Sequence, residues 1–453
     1  MKFASFRPAA AALLAVLLVH PAPGAAPMVP PPPAAPVPVP DQLDLKTAVT
    51  FAVENNFAIR QARERIKQQE GVVVEVSARE IPNVAANGAY QRNATEISTT
   101  VPASDSAWTI NLAVTQTLYA GGGVRSAVKS SQLARDAAVL DLKSTINDAL
   151  LSVRVAFYDV LLAREKIKVQ EQNLELLQQQ LKTTTDRYDA GTVSAFERLR
   201  AEVAVANAKA PLITARNDYR IAIESLRQAL GFTTNTPENL RKIPDFVGSL
   251  DYVPTTFDLQ ASFDAAHANR PDLQRLAQLE AAQEQLITTA RSNYYPNLEL
   301  VGGWQLHKGF TNDFSDSRDG LFVGLQSQWN IFDGRATTGR VIQARSAREQ
   351  AHLALTEAQL GVEVEVRTAY SSFQEATELA DASQKVVAEA EEAVRLATAR
   401  YNAGTATQLD VLQAQVDLTT ARTNQVQAYY TYNVAVARLR KAMGLSDEFV
   451  VTN

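Results

Sequence analysis

Arg187-Tyr188-Asp189-Ala190-Gly191-Thr192 returns 213 positions later (400 − 187) as Arg400-Tyr401-Asn402-Ala403-Gly404-Thr405. The echo extends outward from both hexapeptides. Leu226, Ala229 and Gly231 match Leu439, Ala442 and Gly444 at the same shift. Toward the N-terminus, Ile81-Pro82-Asn83 matches Tyr295-Pro296-Asn297, and Asp44-Leu45 matches Asp258-Leu259, both at 214 (258 − 44). A register held over roughly two hundred residues marks a duplicated structural unit rather than a short solenoid repeat.

Each copy has the same internal order. Behind the hexapeptide lie some sixty proline-free residues, back to Gly123 in copy one and to Arg335 in copy two. At 1.5 Å per residue this predicts a helix of roughly 100 Å. Gly191 and Gly404 are placed to cap it and turn the chain, and a second helix then runs to Gly231 or Gly444. In copy two that helix repeats Val411, Ala414, Leu418, Ala421, Gln425, Ala428, Tyr432, Ala435, Leu439 and Ala442 at alternating spacings of 3 and 4. Copy one carries Arg198, Ala201, Val205, Ala208, Leu212, Ala215, Tyr219, Ala222, Leu226 and Ala229 at the equivalent places. A 3.5-residue seam winds helices into a left-handed coiled coil. Pro211 interrupts copy one and is expected to kink it.

Ahead of the long helices the period changes to 2. Leu45 to about Glu80 reads as helix, and Pro82 stops it. Strands are then expected at about 83–92 and 108–118, and in copy two at about 297–306 and 321–331. Leu298, Leu300, Gly302, Trp304 and Leu306 share one face, against Glu299, Gln305 and His307 on the other. Each run is nine to eleven residues with an aromatic near one end, the length of a tilted membrane strand. A soluble hairpin with one buried face is the commoner reading of such a run alone. The mixed, water-tolerant second face and the absence of other strands favour the membrane. Tyr119-Ala120-Gly121-Gly122-Gly123 and Phe332-Asp333-Gly334 close the strands. No Gly-Lys-Ser/Thr follows, so they read as strand-to-helix turns and not as phosphate loops.

Bulk properties narrow the class. The 453 residues carry a net charge of −5, no cysteine and four scattered histidines (His20, His267, His307, His352). Disulfides, thiolate sites and cysteine-linked lipids are excluded, and neither a basic nucleic-acid surface nor a histidine metal site is indicated. No cofactor motif, nucleophile motif or acid–base pair is found, so the chain reads as no enzyme. Residues 1–26 have a basic start, an apolar run and small residues, as in a signal peptide; 27–41 form a proline-rich tether. No later stretch is apolar enough to span as a helix. A closed barrel is then the only way into a membrane.

One chain offers four such strands, whereas the smallest membrane barrels need about eight. Two chains give eight strands and a filled interior; three give twelve and the start of a lumen. The polar set Asn87, Gln91, Glu299, Gln305, Gln326 and Gln328 favours water inside, hence three. The expected fold is mixed α and β, mainly long α-helical coiled coils. Its trimeric 12-stranded transmembrane β-barrel, four strands per chain, is continued by a periplasmic α-helical tunnel. The first repeat spans 42–232, a linker 233–256, the second repeat 257–445 and a tail 446–453.

These residues resemble the TolC-type outer-membrane efflux protein family, the outer membrane factors, from about Leu43 to Gly444. The twofold repeat, the two Pro-Asn strand starts, the post-strand glycines and the two Arg-Tyr-x-Ala-Gly-Thr turns carry the likeness. So does Gly404-Thr405-Ala406-Thr407-Gln408-Leu409-Asp410-Val411-Leu412, which is close to the family's tip motif. The resemblance implies a homotrimer in the cell outer membrane, extending into the periplasm of a Gram-negative envelope. It also implies docking onto a periplasmic adaptor (membrane fusion) protein and an inner-membrane pump of RND or ABC type. Arg187, Tyr188, Gly191, Thr192, Arg400, Tyr401, Gly404 and Thr405 are the implied docking tip. Glu197, Tyr401, Asp410 and Gln413 are the implied tunnel constriction. Ala406 and Gln413 stand where some members carry arginine and aspartate, so any closure here uses fewer ionic links. Glu197 and Asp410 also suit the positive N-terminal ends of their helices without any pore role. Facing a lumen, three chains would set six acids in a ring that favours cations. Type I protein secretion is the alternative duct function, and a structural coiled-coil envelope protein the alternative of another class.

Overall fold

The computed structural model describes residues 41–92, 106–232, 243–309 and 313–449. The expected signal peptide and nearly all of the tether lie outside the described residues. So do loop residues 93–105 and 310–312, linker residues 233–242 and tail residues 450–453. One compact unit, Gln42–Phe232 with Asp245–Asn453, holds all the elements; the second contributes only Asp41, Ile243 and Pro244 to the described residues.

The elements are β1 (Gln42–Leu43), α1 (Leu45–Asn55), α2 (Phe57–Ser77), β2 (Asn83–Arg92), β3 (Ser106–Ala120), α3 (Gly123–Asp189) and α4 (Ala195–Leu230). Then follow β4 (Asp245–Phe246), α5 (Leu259–Asn269), α6 (Pro271–Arg291), β5 (Asn297–Lys308), β6 (Ser317–Gln328), α7 (Ala336–Asn402) and α8 (Gln408–Ala442). The two halves repeat one another element by element.

The expected single helix from Leu45 to Glu80 is instead α1, α2 and a short 3₁₀ turn at Ala78–Glu80. Asn56 makes the break. Its ψ of 130° leaves the helical region, and its Oδ1 caps α2 by accepting from the amides of Ala58 and Ile59 at 2.9 and 3.3 Å. A short polar side chain that caps locally competes with helix continuation. In copy two Arg270 and Pro271 make the same break.

Four strands form one antiparallel sheet in the order β2-β3-β5-β6. Register keeps the alternation in phase across it. Asn87, Asn111 and Gln305 are neighbours in one row, while Ala86, Leu112, Trp304 and Leu321 form a row on the opposite face. Three of the four expected strands change their ends. β3 runs Ser106–Ala120 with an irregularity at Thr117/Tyr119; β5 reaches Lys308; β6 is Ser317–Gln328 and not 321–331. Pairing sets these limits, because β6 exists only where β5 supplies a ladder, from Lys308 opposite Ser317 to Asn297 opposite Gln328. Trp329, left outside, donates its indole N–H to the Tyr294 carbonyl at 3.1 Å.

Below the sheet the helices keep the strand order, with α2 against α3, α3 against α6 and α6 against α7. Farther down, α4 packs on α3, α3 on α8 and α8 on α7. α3 and α7 have 67 residues each, hence roughly 100 Å of helix. The seam of α8 is buried at every expected position except Gln425. In α4 the seam holds at Ala201, Val205, Ala208, Leu212, Ala215 and Leu226, then drifts to Ile223 and Leu230. Pro211 does not break α4, which is continuous from Ala195 to Leu230. Pro211 and Asn207, whose carbonyl loses its amide partner, both lie on the exposed face, where water can replace the lost bond.

The linker is tied down by β4, which pairs in parallel with β1, Leu43 opposite Phe246. The Phe246 ring packs edge-on against Phe157 and Tyr219 at 6.3 and 6.4 Å. These join Val49, Val153, Val160, Leu161, Leu226 and Leu230 in the largest apolar cluster. Copy two builds its counterpart around Phe373, Ala376, Tyr432, Ala435 and Leu439.

Candidate functional site

Both hexapeptides form the same turn. Gly191 adopts φ 73° and donates to Tyr188 O at 2.8 Å, while the Thr192 amide donates to Arg187 O at 2.9 Å. Gly404, at φ 75°, donates to Tyr401 O at 3.1 Å, and the Thr405 amide to Arg400 O at 2.9 Å. This is the paired 5→2 and 6→1 closure of a helix end, and its left-handed residue favours glycine. The Thr192 and Thr405 hydroxyls add bonds to the same carbonyls at 2.9 and 3.1 Å. Ser194 and Thr407 then start α4 and α8, their side chains accepting from Glu197 N and Asp410 N.

The expected constriction set divides here. Tyr401 is buried, and its hydroxyl donates to Glu197 Oε2 at 3.3 Å across the two copies. The Arg187 guanidinium lies 4.8 Å over the Tyr401 ring and donates to Asn402 Oδ1 at 2.7 Å. Tyr188, the counterpart of Tyr401, is covered by Arg198 of its own copy at 4.9 Å. Asp410 and Gln413 do not join this cluster. Asp410 closes a capping box, accepting from Thr407 N at 2.7 Å. That backbone donor, followed by the Thr407 hydroxyl, holds its carboxyl below the usual range. Gln413 donates to Asp417 on its own helix at 2.9 Å. Two cross-copy contacts escaped the sequence reading, Arg187 to Asn402 and Gln408 Nε2 to Thr184 Oγ1 at 3.4 Å. Asn402 could have been noticed, because copy one has Asp189 there and the hexapeptides otherwise agree.

At the other end of the helices, among the described residues, no element packs on either face of the sheet. Leu321, Val323 and Leu325 of β6 are 87, 80 and 67 % exposed. They share a face with Val84, Val114, Leu112, Ile110, Trp304 and Leu300. The opposite face carries Asn87, Asn111, Thr109, Gln305, Glu299 and Gln326. Aromatics border the apolar face at both ends. Phe314 lies 6.4 Å from Tyr90 and 6.2 Å from Trp108 at the loop end; Tyr119, Tyr294, Tyr295, Trp329 and Phe332 are exposed at the helix end. An apolar band between aromatic girdles, backed by a polar face, is the pattern of a lipid-facing barrel wall. No helix of the described residues is long and apolar enough to cross a membrane.

The chain matches the model of the family described as outer membrane efflux protein over residues 49–232 and 263–445. It belongs to that family. The two matched segments fall within the two repeats. Protein CyaE of Bordetella pertussis is 26 % identical over 397 residues, covering 85 % of this chain and 81 % of that protein. The cobalt-zinc-cadmium resistance protein CzcC of Cupriavidus metallidurans is 26 % identical over 393 residues, covering 84 % and 85 %. The outer membrane protein TolC of Escherichia coli is 26 % identical over 310 residues, covering 66 % and 62 %. Among solved structures, the Campylobacter jejuni CmeC outer membrane channel superposes with a TM-score of 0.76 at 17 % identity, covering 88 % of this chain and 85 % of that one. This outer membrane efflux protein is thus an outer-membrane exit duct whose helices extend into the periplasm. Its family is one of channels and not of enzymes.

Proposed function

We propose that three copies close into one conduit and pass small molecules, delivered by an inner-membrane pump of RND or ABC type through a periplasmic adaptor, to the exterior. The carrying observation is that the sheet and the helical layer both end in open, self-complementary edges. β2 and β6 pair on one side only among the described residues. Exposed strand edges do not persist in lipid. In the helical layer α4 and α7 are the outer members. α4 exposes Phe196, Leu199, Val203, Ala206, Ala210 and Ile213, and α7 exposes Leu379, Ala382, Val386, Glu389, Ala393 and Leu396. Both sets are spaced 3 and 4 in turn, so each edge helix carries a second coiled-coil seam that is exposed among the described residues. A neighbouring copy supplies both partners at once, and twelve strands leave a lumen where eight would be filled.

The turn residues Arg187, Tyr188, Gly191, Thr192, Arg400, Tyr401, Gly404 and Thr405 form the adaptor-facing tip in this reading. Glu197 and Tyr401 make the constriction, with Asp410 and Gln413 beside it on α8. A gel of the outer-membrane fraction, loaded with and without heating, tests the assembly: an unheated trimer band that collapses to monomer on heating is expected. Cargo is tested by deleting the gene. Small-molecule efflux predicts intracellular accumulation of a fluorescent dye in the deletion strain, whereas retention of a secreted protein with normal dye export would favour type I secretion.

A further inference from the structure

The sheet ends above a collar of basic residues that the duct function does not use. Arg79, Arg125, Lys129, Arg291, Arg335 and Arg340 all lie within about two helical turns of a strand–helix junction. Among the described residues none of the six has an ion-pair partner, although cations elsewhere along the helices are commonly paired, as in Arg65–Asp141, Arg216–Glu171, Arg348–Glu280 and Arg422–Glu391. Asp333, an acid at the same level, is turned onto Thr337, accepting its amide at 2.7 Å. The two copies do not share these cations. Their counterparts in the other copy are Asn293, Thr338, Ile342, Ser77, Gly122 and Ala127, none of them charged. Both copies contribute positive charges, at non-equivalent positions but at one common height.

That height is the lipid–water boundary. The best-defined seat is an open cleft of about 470 Å³ between the 3₁₀ turn, the end of β3 and the start of α3, lined by Arg79, Glu80, Leu118, Tyr119 and Arg125 among others. Tyr119 pairs with Leu298, in the apolar row of the sheet, so the cleft opens on the lipid side. Gln116, opposite Leu300 in the same row, donates to Glu80 O at 3.2 Å and draws the turn beneath that face. Two guanidiniums against one carboxylate leave the cleft net positive.

We infer that this collar, with the Arg79–Arg125 cleft as its principal seat, binds the phosphate headgroups of anionic phospholipids at the periplasmic face of the outer membrane. Arginine offers several donors to phosphate oxygens, while Leu118 and Tyr119 lie against the first methylenes of the acyl chains. The inference rests on the membrane-embedded barrel described above.

Native mass spectrometry of the full-length oligomer released from detergent tests it. The probes are dioleoylphosphatidylglycerol, dioleoylphosphatidylcholine and glycerol 3-phosphate. Phosphatidylglycerol should be retained in preference to phosphatidylcholine, and R79Q/R125Q should weaken its retention by roughly fivefold per charge removed. K385Q, on α7 far from the collar, should leave retention unchanged. Equal retention of the two lipids, or an unaltered R79Q/R125Q variant, would overturn the inference. Retention of glycerol 3-phosphate at the same level would overturn the lipid assignment in favour of a soluble phosphate. Each is read on the intact oligomer, so a particle that fails to oligomerise tells against the duct architecture and not against the collar.

Discussion

At the residue scale, the glycines of the tip and those that end the second helix of each copy face different demands. A Cβ at Gly191 or Gly404 would meet nothing within 4 Å, so the positive φ is the whole cost of substitution. G191A and G404A should each lower stability by about 1 kcal/mol, read as a thermal shift, and the two should add. At Gly231 a Cβ would lie 2.5 Å from Asn55 O and at Gly444 2.9 Å from Arg270 N. G231A should therefore cost clearly more than G191A, since backbone must move. The tip cluster makes a separate prediction. Y401F removes the bond to Glu197 while leaving the ring under Arg187, and should change single-channel conductance less than E197Q does. Because Asp410 is held in its capping box, E197Q alone should take most of the cation preference that an E197Q/D410N variant loses. Equal loss from D410N alone would reject the division of roles.

At the element scale, the same joint is built twice from different chemistry. In copy one Asn56 Nδ2 donates to Ala229 O at 2.7 Å, pinning the end of α4 to the α1–α2 break. In copy two Arg270 takes that place, donating to Ala442 O at 3.3 Å while pairing with Asp272 at 2.7 Å and Glu365 at 2.5 Å. Lys441 extends the network to Glu365 and Asp148 at 3.1 and 3.2 Å. R270A should destabilise by about 2–3 kcal/mol, less than a fully buried pair, because Asp272 and Glu365 keep 32 and 39 % of their side chains in water. Burial pushes both carboxyls up, but the Arg270 guanidinium outweighs it and holds them below their ordinary 3.8 and 4.5. The unfolded chain therefore binds more protons than the folded one in that range. The contribution is complete above about pH 4.5 and is lost as pH falls through the folded values. Melting temperature should drop below pH 4.5 in wild type and less steeply in E365Q.

This joint also marks what could be read from the sequence. The duplication, both 67-residue helices and the seam of α8 follow from period and spacing, because a 3.5-residue repeat and a proline-free run are local signals. The strand faces follow as well, since alternation is local. Asn56 was missed because asparagine is tolerated within helices, and its local cap of α2 is reinforced by a bond to Ala229, 173 residues away, which spacing within one segment does not encode. The ends of β3, β5 and β6 depend on partners and not on their own residues. At the tip, the turns were legible from the repeated glycines, but the Tyr401–Glu197 and Arg187–Asn402 pairs arise where two coils cross, which spacing within one copy does not encode.

At the scale of the whole molecule, the two sheet faces should respond oppositely to charge. V323K places an ammonium in the apolar row and should cost about 2–4 kcal/mol at mid-bilayer depth, seen as loss of assembled protein from the outer-membrane fraction. Q326K, on the opposite face of the same strand, should assemble normally and shift ion selectivity toward anions. The central claim is that sheets and helical edges of three chains close on one another around water. Light scattering of the detergent-solubilised protein, corrected for bound detergent, measures this directly. Three protomer masses per particle are predicted. A single protomer mass, soluble with no detergent bound, would contradict the account.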